Sequence, residues 1–262
     1  MIVLDDLVRD WLDRGIAPSM EALGDELKRN PVDAGWRTDE ELVIMDDGRM
    51  DGTVFGAPAL EAMDLPQREG AVTAIERLLI SRGELVEGEG DTGEVVGPVA
   101  LVVSVLRSSD RQATVESRRA EAARFLVCRR RDDICLIEEV FVTGMHHFTF
   151  VDLSGEADLV AAMISPDPDW TIPTSTSVSG PAESPDVAAA IATAEAGATA
   201  AALVTSLTRD AVLAGATKGP DAVATYYSGP RGVVSVDGTD AEVAVRGLTH
   251  EEFLDHLSGV LR

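Results

Sequence analysis

Apolar residues open the chain at helical steps: Leu4, Leu7, Val8, Trp11 and Leu12 recur every three or four positions, with Asp5, Asp6, Asp10 and Asp13 between them. The spacing predicts an amphipathic helix stopped at Gly15. A second helix restarts after Pro18, with Ser19 as its N-cap and Met20, Leu23 and Leu27 as its apolar stripe. Between Pro31 and Pro66 no period holds, because Gly48, Gly52, Gly56 and Pro58 cut the apolar runs short, and no element is predicted there. Val72, Ile75, Leu78 and Leu79 then mark a helix ending at Arg82-Gly83, with Leu85-Val86 as a short extended exit.

Residues 112–153 predict a meander of four strands. Thr114–Ser117 alternates, Phe125–Cys128 is a buried-type run, Arg131-Asp132-Asp133 turns the chain into Ile134–Ile137, and Thr143-Gly144 turns it into His146–Leu153, where Phe148 and Phe150 share a face. Leu153-Ser154-Gly155-Glu156 ends the sheet and caps a helix with Leu159, Val160 and Met163 inward. Pro166, Pro168, Pro173, Pro181 and Pro185, interleaved with Ser and Thr, predict an extended linker or long loop over 166–186. The Ala-rich run 187–204 has the length of a membrane span. Alanine and threonine supply little transfer energy, however, and Glu195 interrupts the run, so a helix or helix–strand pair is expected. Short extended runs follow at Leu203–Leu207, Ala211–Ala214, Val223–Tyr227, Val233–Val236 and Val243–Val245. Thr249 and Glu252 then form a capping box on a last helix.

An offset of 95 residues superposes the two strand-to-helix junctions: Phe148 on Val243, Phe150 on Val245, Leu153 on Leu248, Ser154 on Thr249 and Leu159 on Leu254. The expected fold class is therefore α+β, an antiparallel sheet or sheets with a pseudo-twofold repeat of meander plus closing helix, and N-terminal helices packed on one face. The expected divisions are 1–165, holding the N-terminal helices and the first sheet–helix half; 166–186, the Pro/Ser/Thr linker; and 187–262, the second half, in one body.

Composition narrows the function. The 262 residues carry 46 Asp plus Glu against 22 Lys plus Arg, a formal charge of −24, with 45% hydrophobic and 4% aromatic residues. Such a chain is too apolar to stay disordered and too acidic to bind nucleic acid or anionic lipid, and no membrane insertion is expected. Met1–Asp6 lacks the basic start and apolar core of a signal peptide, and only Cys128 and Cys135 are present, so a cytoplasmic location with reduced thiols is expected.

Chemistry-bearing motifs are scarce. Gly88–Gly93 satisfies G-x-G-x-x-G but encloses two carboxylates and follows only a two-residue apolar run, which makes it an acidic turn and not a dinucleotide loop. Asp46–Gly52 lacks the alternating ligands and closing Glu of a calcium loop. His146 and His147, adjacent on a strand, point to opposite faces, and His250 and His256 are six apart on a helix; neither pair suits one metal. Arg107–Arg131 is the one basic stretch, read as an outward face exchanging ion pairs with the acidic N-terminal third, the alternative being a docking stripe for an acidic partner. No catalytic, cofactor-binding or metal-binding residue is nominated, and no enzymatic activity is expected.

The helical start, the Arg82-Gly83-Glu84-Leu85 helix exit and the two similar sheet-plus-helix halves resemble the EspG family, cytosolic chaperones of actinobacterial type VII secretion. The likeness covers about residues 70–165 and 199–262, as pattern and not as identity. It implies an α+β fold with quasi-twofold symmetry, no enzymatic activity, no cofactor, and a role in holding helical secretion substrates of the PE–PPE kind soluble for export. Such a protein works by burying apolar surface inside a polar rim. The candidate anchors are Phe141 and Met145 at the Thr143-Gly144 bend and Trp170 in the linker. The alternative is an acidic immunity or antitoxin-type inhibitor, steered by its charge onto a basic toxin.

Overall fold

The computed structural model describes residues 1–45, 58–87, 93–119, 122–164, 177–208, 220–230, 232–239 and 242–262. In chain order the elements begin with β1 (Ile2–Val3), α1 (Leu4–Asp13), α2 (Met20–Leu27), β2 (Val32–Thr38), α3 (Asp39–Met45), α4 (Pro58–Glu61) and α5 (Leu65–Ser81). A short ribbon of β3 (Leu85–Glu87) and β4 (Gly93–Val95) precedes α6 (Val99–Ser108). The first meander is β5 (Arg111–Arg119), β6 (Ala122–Arg131), β7 (Ile134–Val140) and β8 (Met145–Asp152), followed by α7 (Leu153–Ile164). After β9 (Val178–Gly180) and α8 (Pro185–Gly197) come β10 (Ala200–Thr208), β11 (Ala222–Gly229), β12 (Gly232–Thr239), β13 (Glu242–Leu248) and the closing α9 (His250–Leu261).

The α+β class and its mostly antiparallel strands agree with the expectation; among the described pairings only β1–β2 is parallel. Two compact units result. The first comprises Met1–Asp110 and Arg129–Asp152, the second Arg111–Cys128 and Leu153–Arg262. In the first, the strand order is β1-β2-β8-β7 and then the Arg129–Arg131 end of β6. One apolar cluster joins Leu7 and Trp11 of α1, Leu23 of α2, Leu42 of α3 and Val102 of α6 to Val32, Leu136, Phe148 and Phe150 of the sheet. The N-terminal helices therefore pack on one sheet face, as their stripes require. Burial of each of these large side chains stabilises by about 1.5–3 kcal/mol.

In the second unit the order is the rest of β6, then β5, β10, β11, β12, β13 and β9. Antiparallel β5 and β10, the first strands of the two meanders, pair in register with Val115 opposite Val204. Helices α7 and α9 touch each other and the strands of this unit, burying Val160 and Met163 from one and Phe253, Leu257 and Leu261 from the other.

Local signals were mostly obeyed. The backbone N–H of Ala22 donates to Ser19 Oγ at 3.2 Å, and the Thr249–Glu252 box closes reciprocally at 3.2 and 2.8 Å. The Ala-rich run divides into α8 and β10. Three readings need correction. Helix α7 already begins at Leu153, so Ser154 lies inside its first turn and does not precede it as a cap. Within 166–186, Val178–Gly180 is a strand that pairs with β13, and Pro185 starts α8 at the position where its missing N–H costs nothing. The irregular stretch after Pro31 contains β2 and α3. Trp170, Asp46–Gly52, Ala211–Ala214 and residues 88–92 of the glycine-rich motif lie outside the described residues.

Candidate functional site

The bend between β7 and β8 in the first unit presents apolar side chains to solvent above a buried chain of charges. Phe141 and Met145 sit at its two ends, joined by the Phe141 N–H donating to the Met145 carbonyl at 2.9 Å; the Gly144 N–H donates back to the Phe141 carbonyl at 3.0 Å. Of the three expected anchors, the structure thus brings these two together. Val142 at the tip is 100% exposed.

A third aromatic, Trp36 of β2, joins them. Its ring lies 5.2 Å from Phe141 and 4.7 Å from the His147 imidazole, centroid to centroid, and the residue is 49% exposed. How Trp36 arrives there follows from a bulge. Val32 pairs with Phe150 and Asp33 with Thr149, but Gly35 pairs with Phe148, so Ala34 is the extra residue. Gly35 has φ +83°, a conformation that favours glycine. Beyond the bulge the side-chain parity flips. Trp36 leaves the core face of Val32 and joins Asp33 and His147 on the other side, where His147 Nε2 meets Asp33 Oδ1 at 3.0 Å.

His146 points the opposite way, as adjacent strand residues must, and is fully buried. Its Nδ1 lies 2.6 Å from Glu138 Oε1 and its Nε2 2.7 Å from Asp39 Oδ1. The second Glu138 oxygen, Oε2, accepts from the Arg129 guanidinium. Asp39, Glu138, His146 and Arg129 are all buried, so two carboxyl groups meet one guanidinium and one imidazole away from water. Burial pushes the His146 pKa down, but hydrogen bonds and charge from Glu138 and Asp39 outweigh it and leave the imidazole above its ordinary value. Burial likewise pushes Glu138 up, and the Arg129 charge together with His146 outweighs it, holding the carboxyl below the usual range.

This arrangement revises the reading of the basic stretch. Arg129 is not on an outward face but 1% exposed against Glu138, Arg130 is buried as well, and Arg107 donates to the Met45 carbonyl at 2.8 Å. Arg118, paired with Glu116, remains on the surface as expected.

Thr38 and Glu41 fix the start of α3: the Glu41 N–H donates to Thr38 Oγ1 at 3.2 Å and the Thr38 N–H to Glu41 Oε2 at 3.0 Å. That box sets Asp39 in the first turn of α3, beneath the bend, and the Asp39 N–H donates to the Gly144 carbonyl at 3.0 Å. Gly144 has φ +74°, and a Cβ on it would lie 2.6 Å from Asp39 Oδ2. Only glycine allows both the turn and the close carboxylate.

Sequence reasoning missed Trp36, Val142 and His147 at this surface. The alternation of Val32, Ala34 and Trp36 with Asp33, Gly35 and Arg37, followed directly by a Thr-x-x-Glu box, signals a strand and a helix start, but it sets Trp36 inward with Val32, and only the bulge turns it out. The other histidines are placed apart. His256 bridges Tyr226 Oη at 2.9 Å and Asp237 Oδ2 at 3.0 Å, tying α9 to the second unit's strands, and burial together with the Asp237 charge raises the Tyr226 phenol well above its ordinary value. Cys128 and Cys135 are buried thiols that form no disulfide. Among the described residues no helix is long and apolar enough to cross a membrane.

No protein-family model matches the sequence, and no curated protein matches it. A solved structure does match the fold: that of the Mycobacterium tuberculosis type VII secretion system chaperone EspG5 in complex with the PE25–PPE41 dimer, with a TM-score of 0.54 and 15% identity, covering 88% of this chain and 95% of that one. The α+β, mostly antiparallel fold expected from the resemblance is therefore the fold observed.

Proposed function

We propose that this chain is a non-enzymatic cytosolic chaperone or adaptor that binds a helical type VII secretion substrate of the PE–PPE kind, keeps it soluble and hands it to the export machinery. The carrying observation is the fold likeness over 88% of the chain to a chaperone solved with such a substrate pair. The bend surface supplies chemistry suited to the task. Trp36, Phe141 and Val142 offer apolar area, and aromatic anchors of this kind dominate protein–protein affinity. Phe141, Met145 and Trp170 are the proposed anchors, Trp36 being added to them. We read the two meanders as copies of one unit, each closed by its own helix.

The test is capture of the full-length protein from its native cell, followed by identification of what co-purifies. A stoichiometric pair of helical proteins that stays bound as salt is raised supports the chaperone reading, since apolar burial is not screened. Capture of a single basic protein whose association rate collapses with ionic strength would replace it by the toxin-inhibitor reading.

A further inference from the structure

We infer that His146 is a positioning residue: held as an imidazolium between Asp39 and Glu138, it clamps the Phe141–Met145 bend in its presenting shape and releases it when the proton leaves. The protonation state follows from the geometry taken together with the surrounding charges. A neutral imidazole has one N–H and one lone pair, so it can donate to only one partner. Here both ring nitrogens face carboxylate oxygens, at 2.6 and 2.7 Å, and only the doubly protonated ring donates to both. The surrounding charges agree. From α3 comes Asp39, from β7 Glu138, and from β6 Arg129, which already occupies the other oxygen of Glu138. On β2 the residue opposite His146 is Arg37, whose guanidinium is turned to Glu84 at 2.8 Å and to the Trp36 carbonyl at 2.6 Å. Glu41, the other buried acid of α3, is taken by Arg82 at 2.7 Å. With His146 protonated the Asp39–His146–Glu138–Arg129 chain is neutral; without that proton it holds an uncompensated buried charge and sets a lone pair against a carboxylate.

The clamp reaches the surface through two short steps. Asp39 bonds His146 with Oδ1, keeps Oδ2 close against Gly144, and donates its backbone N–H to the Gly144 carbonyl. Loss of the His146 proton releases Asp39 and with it the support under Gly144. Phe141 and Met145, hydrogen-bonded across that same turn, are the residues that move. The inference rests on the preceding reading for the purpose of the bend, but not for the clamp itself.

The experiment is a pH titration of the full-length protein by NMR. It follows the His146 ring and the Met145 methyl signals, assigned through His146→Gln and Met145→Leu. The expected result is a common midpoint above 6.5 for both signals, and a Met145 signal in His146→Gln that no longer responds over that range. Asp39→Asn, which leaves the ring one carboxylate, lowers the His146 midpoint by about one unit, a tenfold weaker hold on the proton, and so serves even where His146→Gln does not fold. A His146 midpoint at or below 6.5, or a Met145 signal indifferent to it, overturns the inference. Adding the co-purified partner separates the two readings: when Met145 follows His146 but ignores the partner, the clamp stands and the docking role of the bend falls.

Discussion

Asp39 and His146, 107 residues apart in sequence, meet at 2.7 Å in the interior of the first unit. Their contact joins the first turn of α3 to the start of β8, and the Asp39 N–H also donates to the carbonyl of Gly144 in the Phe141–Met145 bend.

Replacing Glu138 by Gln leaves Arg129 and His146 buried with one carboxylate fewer to balance them. Breaking a buried ion pair from one side costs about 3–5 kcal/mol. The urea midpoint of Glu138→Gln is expected to fall accordingly with an unchanged slope; a midpoint equal to that of the wild type contradicts the pairing.

The pH dependence of stability has a definite sign on each side. Glu138 is held below its ordinary value in the folded state, so its contribution is complete above that ordinary value and is lost as pH falls through the lowered one. His146 is held above 6.5, so its contribution is complete below 6.5 and is lost as pH rises through the raised value. Denaturation midpoints across pH should trace a plateau between about 4.5 and 6.5, falling away on either side, and in His146→Gln the alkaline decline due to this residue disappears.

Gly144→Ala forces a side chain into the positive-φ region and toward Asp39 Oδ2 at the same time. Strain of this kind costs about 1–3 kcal/mol. Thermal unfolding should show the loss as a lowered midpoint, and a variant that melts with the wild type contradicts the close approach of the carboxylate.

Trp36→Ala removes half-exposed apolar area from the surface without opening the core. Its expected effect on folding is small, while binding of whatever partner co-purifies with the protein, measured by titration calorimetry, should weaken by about 2 kcal/mol or more, the scale of an interface anchor. Equal affinity for the variant and wild type removes this face from consideration.

At the other end of the chain, Thr249→Ala deletes the side-chain acceptor for the Glu252 N–H and undoes the box at the start of α9. The loss should be about 0.5–2 kcal/mol in chemical denaturation.

The legible parts of this fold were those whose signal is local. Ser19, Gly15 and the Thr249–Glu252 box each mark a helix end within four residues, and the strands of both meanders are bounded by their own turns. β2 was harder to read because Gly35 sits in the middle of its alternation and because the strand finds its partner β8 more than a hundred residues later. The charged core was illegible for a deeper reason. By alternation Glu138 shares the core face of Leu136, and His146 that of Phe148 and Phe150, but only the convergence of α3, β6 and β7 brings together the opposite charges that let such groups stay buried there. Phe141 and Met145 could be chosen from the bend alone; Trp36 required the bulge.

The chain leaves one compact unit for the other at residue 110, returns at 128 and leaves again at 152, with β6 divided between them. Neither half can therefore be produced by cutting the gene at a single point. During synthesis the first unit stays incomplete until Asp152 has emerged from the ribosome, while β5 waits for β10, whose paired residues follow about ninety positions later. A nascent chain of this plan exposes an unpaired strand edge for seconds at ordinary elongation rates, and its assembly is governed by the arrival of its last third.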